Sequence, residues 1–464
     1  MLGITVLPEY IQSEGVEGLL DNLQNRAPIT AISTSPYVMT ELAAEQGGQR
    51  EPPADAEKGL VRLLDRPLWG KREVWIQTAP SFEPDRSLYK GLRYQPSESS
   101  EATRSEGPVL DAFIAAAHER GLKVYFQIQA AIPPGYRVQF GGPEEDDIPR
   151  LPDGSEPKQR LDKNGSLASP HILNYGEALL ADLLRRYPDI DGFRIDWPEY
   201  PPYFLDSIFL DFGPHVRRFA NERGFDFESI RIQIEALYRF LHSQANDTEI
   251  LSYADNPALL VERFPLIREW LQLKSALVSN LLTRYRAAID ANANSPKALI
   301  PSAFPPPWNT LSGFDYTAAG EIVDAISCKY YTMHWPMMLR NYSDALLKAN
   351  SSLTSPTLAR ALCHALSAVA PTPPKCEQFE YPEPDEAHPV PLAALADKQS
   401  LVEATAPNTP IWPIAHSYGP NRDFSQRAQA VLAVSQDRLW VNRYAYLSDE
   451  KLDTLGKLFS QASS

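Results

Sequence analysis

The chain has 464 residues, is 43% hydrophobic and carries a formal net charge of −15. That length and apolar content suit a folded protein with a sizeable core and argue against disorder. The negative balance, with no Lys/Arg cluster to reverse it locally, makes nucleic acid and anionic membrane unexpected partners, and no apolar run is long enough to span a bilayer.

Residues 2–7 read as a first strand ending at Pro8-Glu9-Tyr10, followed by a helix over 16–24. Residues 29–34 form the second predicted strand, with Tyr37 at its end, and 71–78 an extended segment within a long excursion. Apolar residues at helical spacing (Val109, Leu110, Phe113, Ile114, Ala117) predict a helix over 107–120 that Gly121 stops. The third strand, 122–129, alternates so that Tyr125, Gln127 and Gln129 share one face and Val124, Phe126 and Ile128 the other. Residues 141–165, rich in Pro, Gly and acid, predict a loop, and 174–187 a helix.

The fourth strand lies in Asp191-Gly192-Phe193-Arg194-Ile195-Asp196-Trp197-Pro198-Glu199-Tyr200-Pro201. Alternation turns Arg194 and Asp196 inward and Phe193 and Ile195 toward a covering helix, while Pro198 ends the strand and lifts Glu199 onto the loop above. Long amphipathic stretches over 212–242 and 257–292 predict a helical insertion within 204–295. Strands five to eight follow at 297–304, 326–334, 409–416 and 439–444, a last helix at 448–459, and a proline-rich loop at 371–391. Strands alternating with helices along the whole chain predict one elaborated (β/α)8 barrel, an α/β fold spanning 1–464.

Cys328, Cys363 and Cys376 lack CxxC spacing, so neither a disulfide framework nor a zinc knuckle is expected. No GxGxxG or Walker-type loop is present, and no cofactor is called for. With no basic n-region ahead of Gly3-Ile4-Thr5-Val6-Leu7, a cytoplasmic location is the expectation. Oligomeric state is not legible.

A barrel would gather Glu9, Tyr37, Gln129, Asp196, Glu199, His334, His416, Arg443 and Tyr444 at one mouth, the end where barrel enzymes build their sites. Many aromatics fall near the same strand ends, among them Trp75, Trp197, Trp308, Tyr330, Tyr331, Trp335, Trp412, Tyr418 and Tyr446. Flat apolar faces beside paired acids are what a sugar-binding cleft needs, so an oligosaccharide or glycoside is the expected substrate.

The Asp191–Pro201 segment resembles the fourth-strand signature of the family 18 chitinases, Asp-Gly-x-Asp-x-Asp-x-Glu followed by Tyr-Pro. It is also similar to the Gly-Phe-Arg-x-Asp segment of the α-amylase family, whose Asp is the nucleophile. Arg194 stands where the chitinases have a carboxylate, Pro198 displaces Glu199 by one position, and strand five ends in Ser302-Ala303-Phe304-Pro305. More broadly, the Asp-Gly-x-x-x-Asp strand and the closing Tyr444-Ala445-Tyr446-Leu447-Ser448-Asp449-Glu450-Lys451-Leu452 resemble glycoside-hydrolase-like barrels of bacteria.

The expectation is therefore a glycoside hydrolase in which Glu199 is the general acid and Asp196, ionised beside Arg194, is nucleophile or electrostatic partner. Glu9, Tyr37, Gln129, Arg194, Trp197, Tyr331, His334, His416, Arg443 and Tyr444 are the expected substrate contacts, with Trp197 stacking on a sugar ring. Two rivals stand beside it: a metal-dependent sugar isomerase or epimerase with Glu9, Asp196, His334 and His416 as ligands, and a sugar-binding barrel without catalysis.

Overall fold

A computed structural model describes residues 1–53, 62–137, 141–159 and 164–462. Its strands are β1 (Leu2–Thr5), β2 (Ala31–Thr34), β3 (Tyr37–Leu42), β4 (Gln49–Glu51), β5 (Val74–Pro80), β6 (Lys123–Gln129), β7 (Gly192–Asp196), β8 (Ala298–Ala303), β9 (Ile326–Tyr330), β10 (Ile411–His416) and β11 (Leu439–Asn442). Eight of them close into a barrel in the order β1-β11-β10-β9-β8-β7-β6-β2, every neighbouring pair parallel. The expected (β/α)8 architecture is the observed one.

Strand alternation divides the residues of the barrel into two sets. Ile4, Ile32, Phe126, Ile128, Phe193, Ile195, Leu299 and Val441 face outward and join the large core beneath the helices. Ala31, Tyr125, Ile300, Trp412, Ile414 and Trp440 face inward and form a separate apolar plug in the barrel's lower half. Within it Trp412 and Trp440 stack in near-parallel planes with ring centroids 5.7 Å apart, and Tyr125 meets both edge-on. The plug requires a glycine on β1: a Cβ at Gly3 would lie 2.1 Å from the Trp440 ring. Gly192 meets a similar limit, since a Cβ there would come within 2.2 Å of the Ala298 carbonyl oxygen on β8.

The long helix Pro170–Arg186 starts where Ser169 accepts from the N–H groups of His171 and Ile172, with Pro170 in the first turn. It covers the outer face of the barrel and packs on Ile267–Asn292, the longest of the helices between β7 and β8. The others in that stretch are Leu205–Ile208, Pro214–Glu222, Phe227–Ser243, Asp247–Asp255 and Ala258–Arg263.

Two local expectations need correction. Tyr37 does not end a barrel strand but opens β3, which pairs with β5 and β4 in a small antiparallel sheet above the barrel. The sixth barrel strand stops at Tyr330 and His334 begins the helix His334–Ala349, whose first turn accommodates Pro336 because no intrahelical N–H is needed there. Segment 371–391 is a loop, as expected, apart from one 3-10 turn, Cys376–Gln378; its Cys376 and His388 are buried. Of the expected loop 141–165, residues 160–163 lie outside the described residues.

Replacing Gly3 by Val should force the Trp412–Trp440 plug apart and cost about 1–3 kcal/mol or more of unfolding free energy in urea melts. An unchanged midpoint would mean that the plug tolerates added volume.

Candidate active site

Asp196 is the last residue of β7, level with Gln129 on β6 and Ser302 on β8. After it the chain turns sharply. Trp197 adopts a left-handed backbone (φ 52°), a conformation costly for a bulky residue and kept here by the packing of its ring against Tyr203. The Trp197 N–H donates to Asp196 Oδ1 at 3.2 Å, and Asn164 Nδ2 donates to the carbonyls of Trp197 and Glu199, fixing the turn from outside.

Lys329, inward-facing on β9, joins the two acids. Its Nζ lies 3.4 Å from Asp196 Oδ1 and 3.9 Å from Glu199 Oε1, and 4.4 Å above the Phe304 ring. Asp196 keeps 19% side-chain exposure, so it is the member of the trio that the mouth reaches. Glu199 does not sit on an open loop, as the strand-breaking proline suggested: it is 0% exposed. Phe304 N–H donates to its Oε1 at 3.1 Å and the Ser312 hydroxyl lies 2.5 Å from its Oε2. Burial, outweighing Lys329 and these two hydrogen bonds, pushes the Glu199 carboxyl up to about 7. The hydroxyl geometry fits a protonated carboxyl, because Ser312 Oγ also lies 2.9 Å from the Asn309 carbonyl and has one proton for two acceptors.

Arg194 sits one layer below Asp196 and makes no ion pair with it, contrary to expectation. It stacks 4.0 Å from the Trp440 ring and donates to Thr5 Oγ1 and Ser327 Oγ. Burial holds its guanidinium down at about 10.

On the β1, β2 and β11 side, Glu9 and Glu51 are wholly buried and pair with Arg137 and Arg443. Tyr37 donates to Glu9 Oε2 at 3.0 Å, Arg137 pairs with Glu51 at 3.1 Å, and Arg443 bonds Glu51 from the other side. Burial raises the Glu9 carboxyl, whereas for Glu51 the same desolvation is outweighed by Arg137 and Arg443, which hold it low.

Aromatic and imidazole rings form the wall over β9 and β10. Tyr331 meets His416 and His334 edge-on at 5.2 and 5.9 Å, and Tyr381 from segment 371–391 lies 6.0 Å from His334. Tyr331, His334 and Tyr381 are partly exposed. Burial lowers His334 to about 4 and His416 well below the usual range, so both rings are neutral near pH 7. Tyr418 N–H donates to His416 Nδ1, leaving its Nε2 to carry the ring proton.

Two expected contacts lie elsewhere. Tyr444 points away from the lumen, donating to Glu14 and accepting from Asn22, with Arg66 stacked on its ring. Trp197, 7% exposed, belongs to the outer core, so the partly exposed faces are those of Tyr331 and Tyr381. The expected metal ligands Glu9, Asp196, His334 and His416 do not form one coordination sphere. Among the described residues the group of three with ligand atoms close enough is Asp146, Asp147 and His215, outside the barrel mouth, where Arg93 already pairs with both carboxylates. Asp191 of the motif is also structural, accepting from Val124 N–H and lying 3.0 Å from His118 Nε2.

Lys329, Ser312, Glu51, Arg137 and Tyr381 were not anticipated. The parity of Ser327, Lys329 and Tyr331 within an otherwise apolar strand was the readable signal for the lysine.

No protein-family model and no curated protein matches the chain. Among solved structures it aligns over its whole length with a β-galactosidase from the psychrophilic Marinomonas ef1 (12% identity, TM-score 0.48), spanning 59% of that chain. It likewise aligns in full with the catalytic domain of a β-amylase from Paenibacillus polymyxa (10% identity, 97% of that chain, TM-score 0.49). A chitinase from Chromobacterium violaceum aligns over 99% of both chains at 8% identity and a TM-score of 0.36.

Two outcomes follow from the geometry. Trp197→Ala should lower unfolding free energy by roughly 3–5 kcal/mol, as for a core tryptophan; a loss below 1 kcal/mol would return the ring to the solvent side. Glu199 ionises near 4.5 in the unfolded chain and near 7 in the folded one. The folded state therefore holds an extra proton between those values, and stability falls as pH rises through that window, by up to about 3 kcal/mol before levelling above it. Urea melts of Glu199→Gln at pH 5 and 8 should lack this component of the slope; an identical slope in both proteins would remove the raised carboxyl from the account.

Proposed function

We propose that the chain hydrolyses glycosidic bonds at the barrel mouth, with Asp196 as the carboxylate that meets the sugar. The observation that carries this reading is the Asp196–Lys329–Glu199 array, one acid open to the mouth and the other buried and half-protonated near neutrality. One ammonium contacting both carboxylates limits their oxygens to a separation of about 7 Å, within reach of both retaining and inverting spacings.

Hydrolysis needs a proton on the departing oxygen and a carboxylate to help water or itself reach the anomeric carbon. Asp196 serves the second need. Glu199, protonated below about 7, leaves the Lys329 ammonium to Asp196 and so holds that carboxylate in place and ionised. The attacking water adds its hydroxyl to the anomeric carbon, and its proton passes through water at the mouth to the departing oxygen. Tyr331 and Tyr381 supply partly exposed faces for the ring.

A second reading, a sugar-binding barrel without turnover, is favoured by one observation: both Glu199 oxygens are occupied and neither is exposed. Turnover of a panel of chromogenic glycosides separates the two. Hydrolysis requires that Asp196→Asn lose about a hundredfold or more, and that the wild-type rate fall as pH rises through about 7, a limb absent in Glu199→Gln. A wild-type protein that binds saccharides in calorimetry yet cleaves none of the panel would establish the binding reading.

A further inference from the structure

The helix Ile267–Asn292 turns one charged side chain inward. Lys274 is 2% exposed and is the only charged residue among the buried positions of this helix, which are otherwise aromatic or aliphatic. Its Nζ donates to the Ile208 carbonyl at 2.6 Å and to the Leu311 carbonyl, and lies 5.0 Å from the centroid of the Trp270 ring. Among the described residues it is in no salt bridge, and the charge that acts on it is that of Glu199. A buried ammonium without a counterion is costly. Met or Leu would fill the same space without that cost, so packing does not account for a lysine here. What a long donor alone supplies is a grip on two carbonyls from different barrel connections.

Those connections frame Glu199. Ile208 ends the helix Leu205–Ile208 after β7, and Leu311 immediately precedes Ser312 in the helix Trp308–Ser312 after β8. Five residues make little more than one turn, too few to be stable alone, so the place of this second helix is set by its contacts. Gly313, which ends it in a left-handed conformation (φ 95°), lies directly on Lys274: a Cβ there would be 2.7 Å from the lysine Cβ. Ser312 Oγ, in turn, lies 2.5 Å from Glu199 Oε2 and 2.9 Å from the Asn309 carbonyl. Lys274 and Glu199 thus hold adjacent residues of one short helix, Leu311 and Ser312.

We propose that Lys274 is a positioning residue for Glu199: by gripping Leu311 it keeps the Ser312 hydroxyl within reach of both the Glu199 carboxyl and the Asn309 carbonyl, which makes the helical insertion after β7 part of the site. While Glu199 is protonated, its O–H donates to Ser312, whose own proton goes to Asn309. Once Glu199 ionises, the Ser312 hydroxyl turns and donates to the carboxylate. That turn needs both acceptors at hydrogen-bond distance from one oxygen, and the lysine fixes this spacing. The other groups around Glu199 do not replace it. Lys329 and Asp196 act on the carboxyl as charges, and Tyr203, Tyr316 and Cys328 are buried and stay neutral near pH 7. The consequence for turnover rests on the hydrolase reading; the consequence for the Glu199 carboxyl does not.

The test is the pH midpoint of the Glu199 carboxyl carbon, followed by 13C NMR in the full chain for wild type, Lys274→Met, Ser312→Ala and the double variant. Losing the donor to the carboxylate raises the midpoint, so each single variant should lie above wild type by about 0.4–1 pH, the worth of one hydrogen bond. Lys274→Met should add nothing further once Ser312 is absent. If Lys274→Met does not fold, Lys274→Gln, shorter and uncharged, enters the same cycle. An equal displacement with and without Ser312 would mean that the ammonium acts by its charge alone, and no displacement would make it a filler of the outer core; either result overturns the proposal. With a glycoside that turns over, the fall in rate near pH 7 should move up with the midpoint. A midpoint that moves while the rate profile stays, or a protein that cleaves no glycoside, would leave the role of Lys274 standing and overturn the hydrolase reading.

Discussion

A lysine buried between two carboxylates at the end of a barrel is the constraint around which the mouth is arranged. Lys329 has 1% side-chain exposure, and an ammonium taken from water without a counterion carries a penalty of several kcal/mol. Asp196 answers it from β7 and Glu199 from the loop beyond. Glu199 in turn is fixed by a backbone N–H at Phe304, just past β8, and by Ser312 in the short helix Trp308–Ser312. One cation thereby sets the relative positions of three successive barrel segments.

The same device recurs around the rim. Lys274 donates to the carbonyls of Ile208 and Leu311, Lys398 to those of Pro306 and Leu366, and Lys451 to those of Ser417 and Tyr446. Burial lowers the first two ammonium groups to about 7 and about 8. Each ties together helix-end or loop carbonyls that lie outside the strand ladder. Opposite Lys329, Glu9 and Glu51 balance Arg137 and Arg443 on the other side of the mouth, so neither side presents a large uncompensated charge to a ligand.

The barrel was legible because its strands are short apolar runs whose inward residues break the pattern at the C-terminal end, as in Val124–Gln129 and Phe193–Asp196. Helix boundaries and excursions were less so. Tyr37 and Glu51 take part through a three-stranded sheet formed by pairing between segments far apart in sequence, which periodicity does not report. At the site, the sequence placed Asp196 and Glu199 near one another but suggested the wrong neighbours. Arg194 is two residues from Asp196 and therefore a full layer below it, whereas the cation that touches Asp196 comes from β9, 133 positions away. Trp197 and Tyr444 looked like ligand contacts because they flank the motifs; the turn at Trp197 and the 3-10 turn Tyr444–Tyr446 that follows β11 direct them away from the lumen. Sequence adjacency is a poor guide to side-chain direction once the chain leaves the strand.

The central claim is that Lys329 couples a neutralisable Glu199 to the exposed Asp196. It is tested most directly by following the Glu199 carboxyl carbon by 13C NMR as pH is varied, in wild-type protein and in Lys329→Met, with Glu199→Gln to assign the signal. The account predicts a midpoint near 7 in the wild type, displaced upward when the ammonium is removed. A midpoint near 4.5, or one that does not move in Lys329→Met, would contradict it.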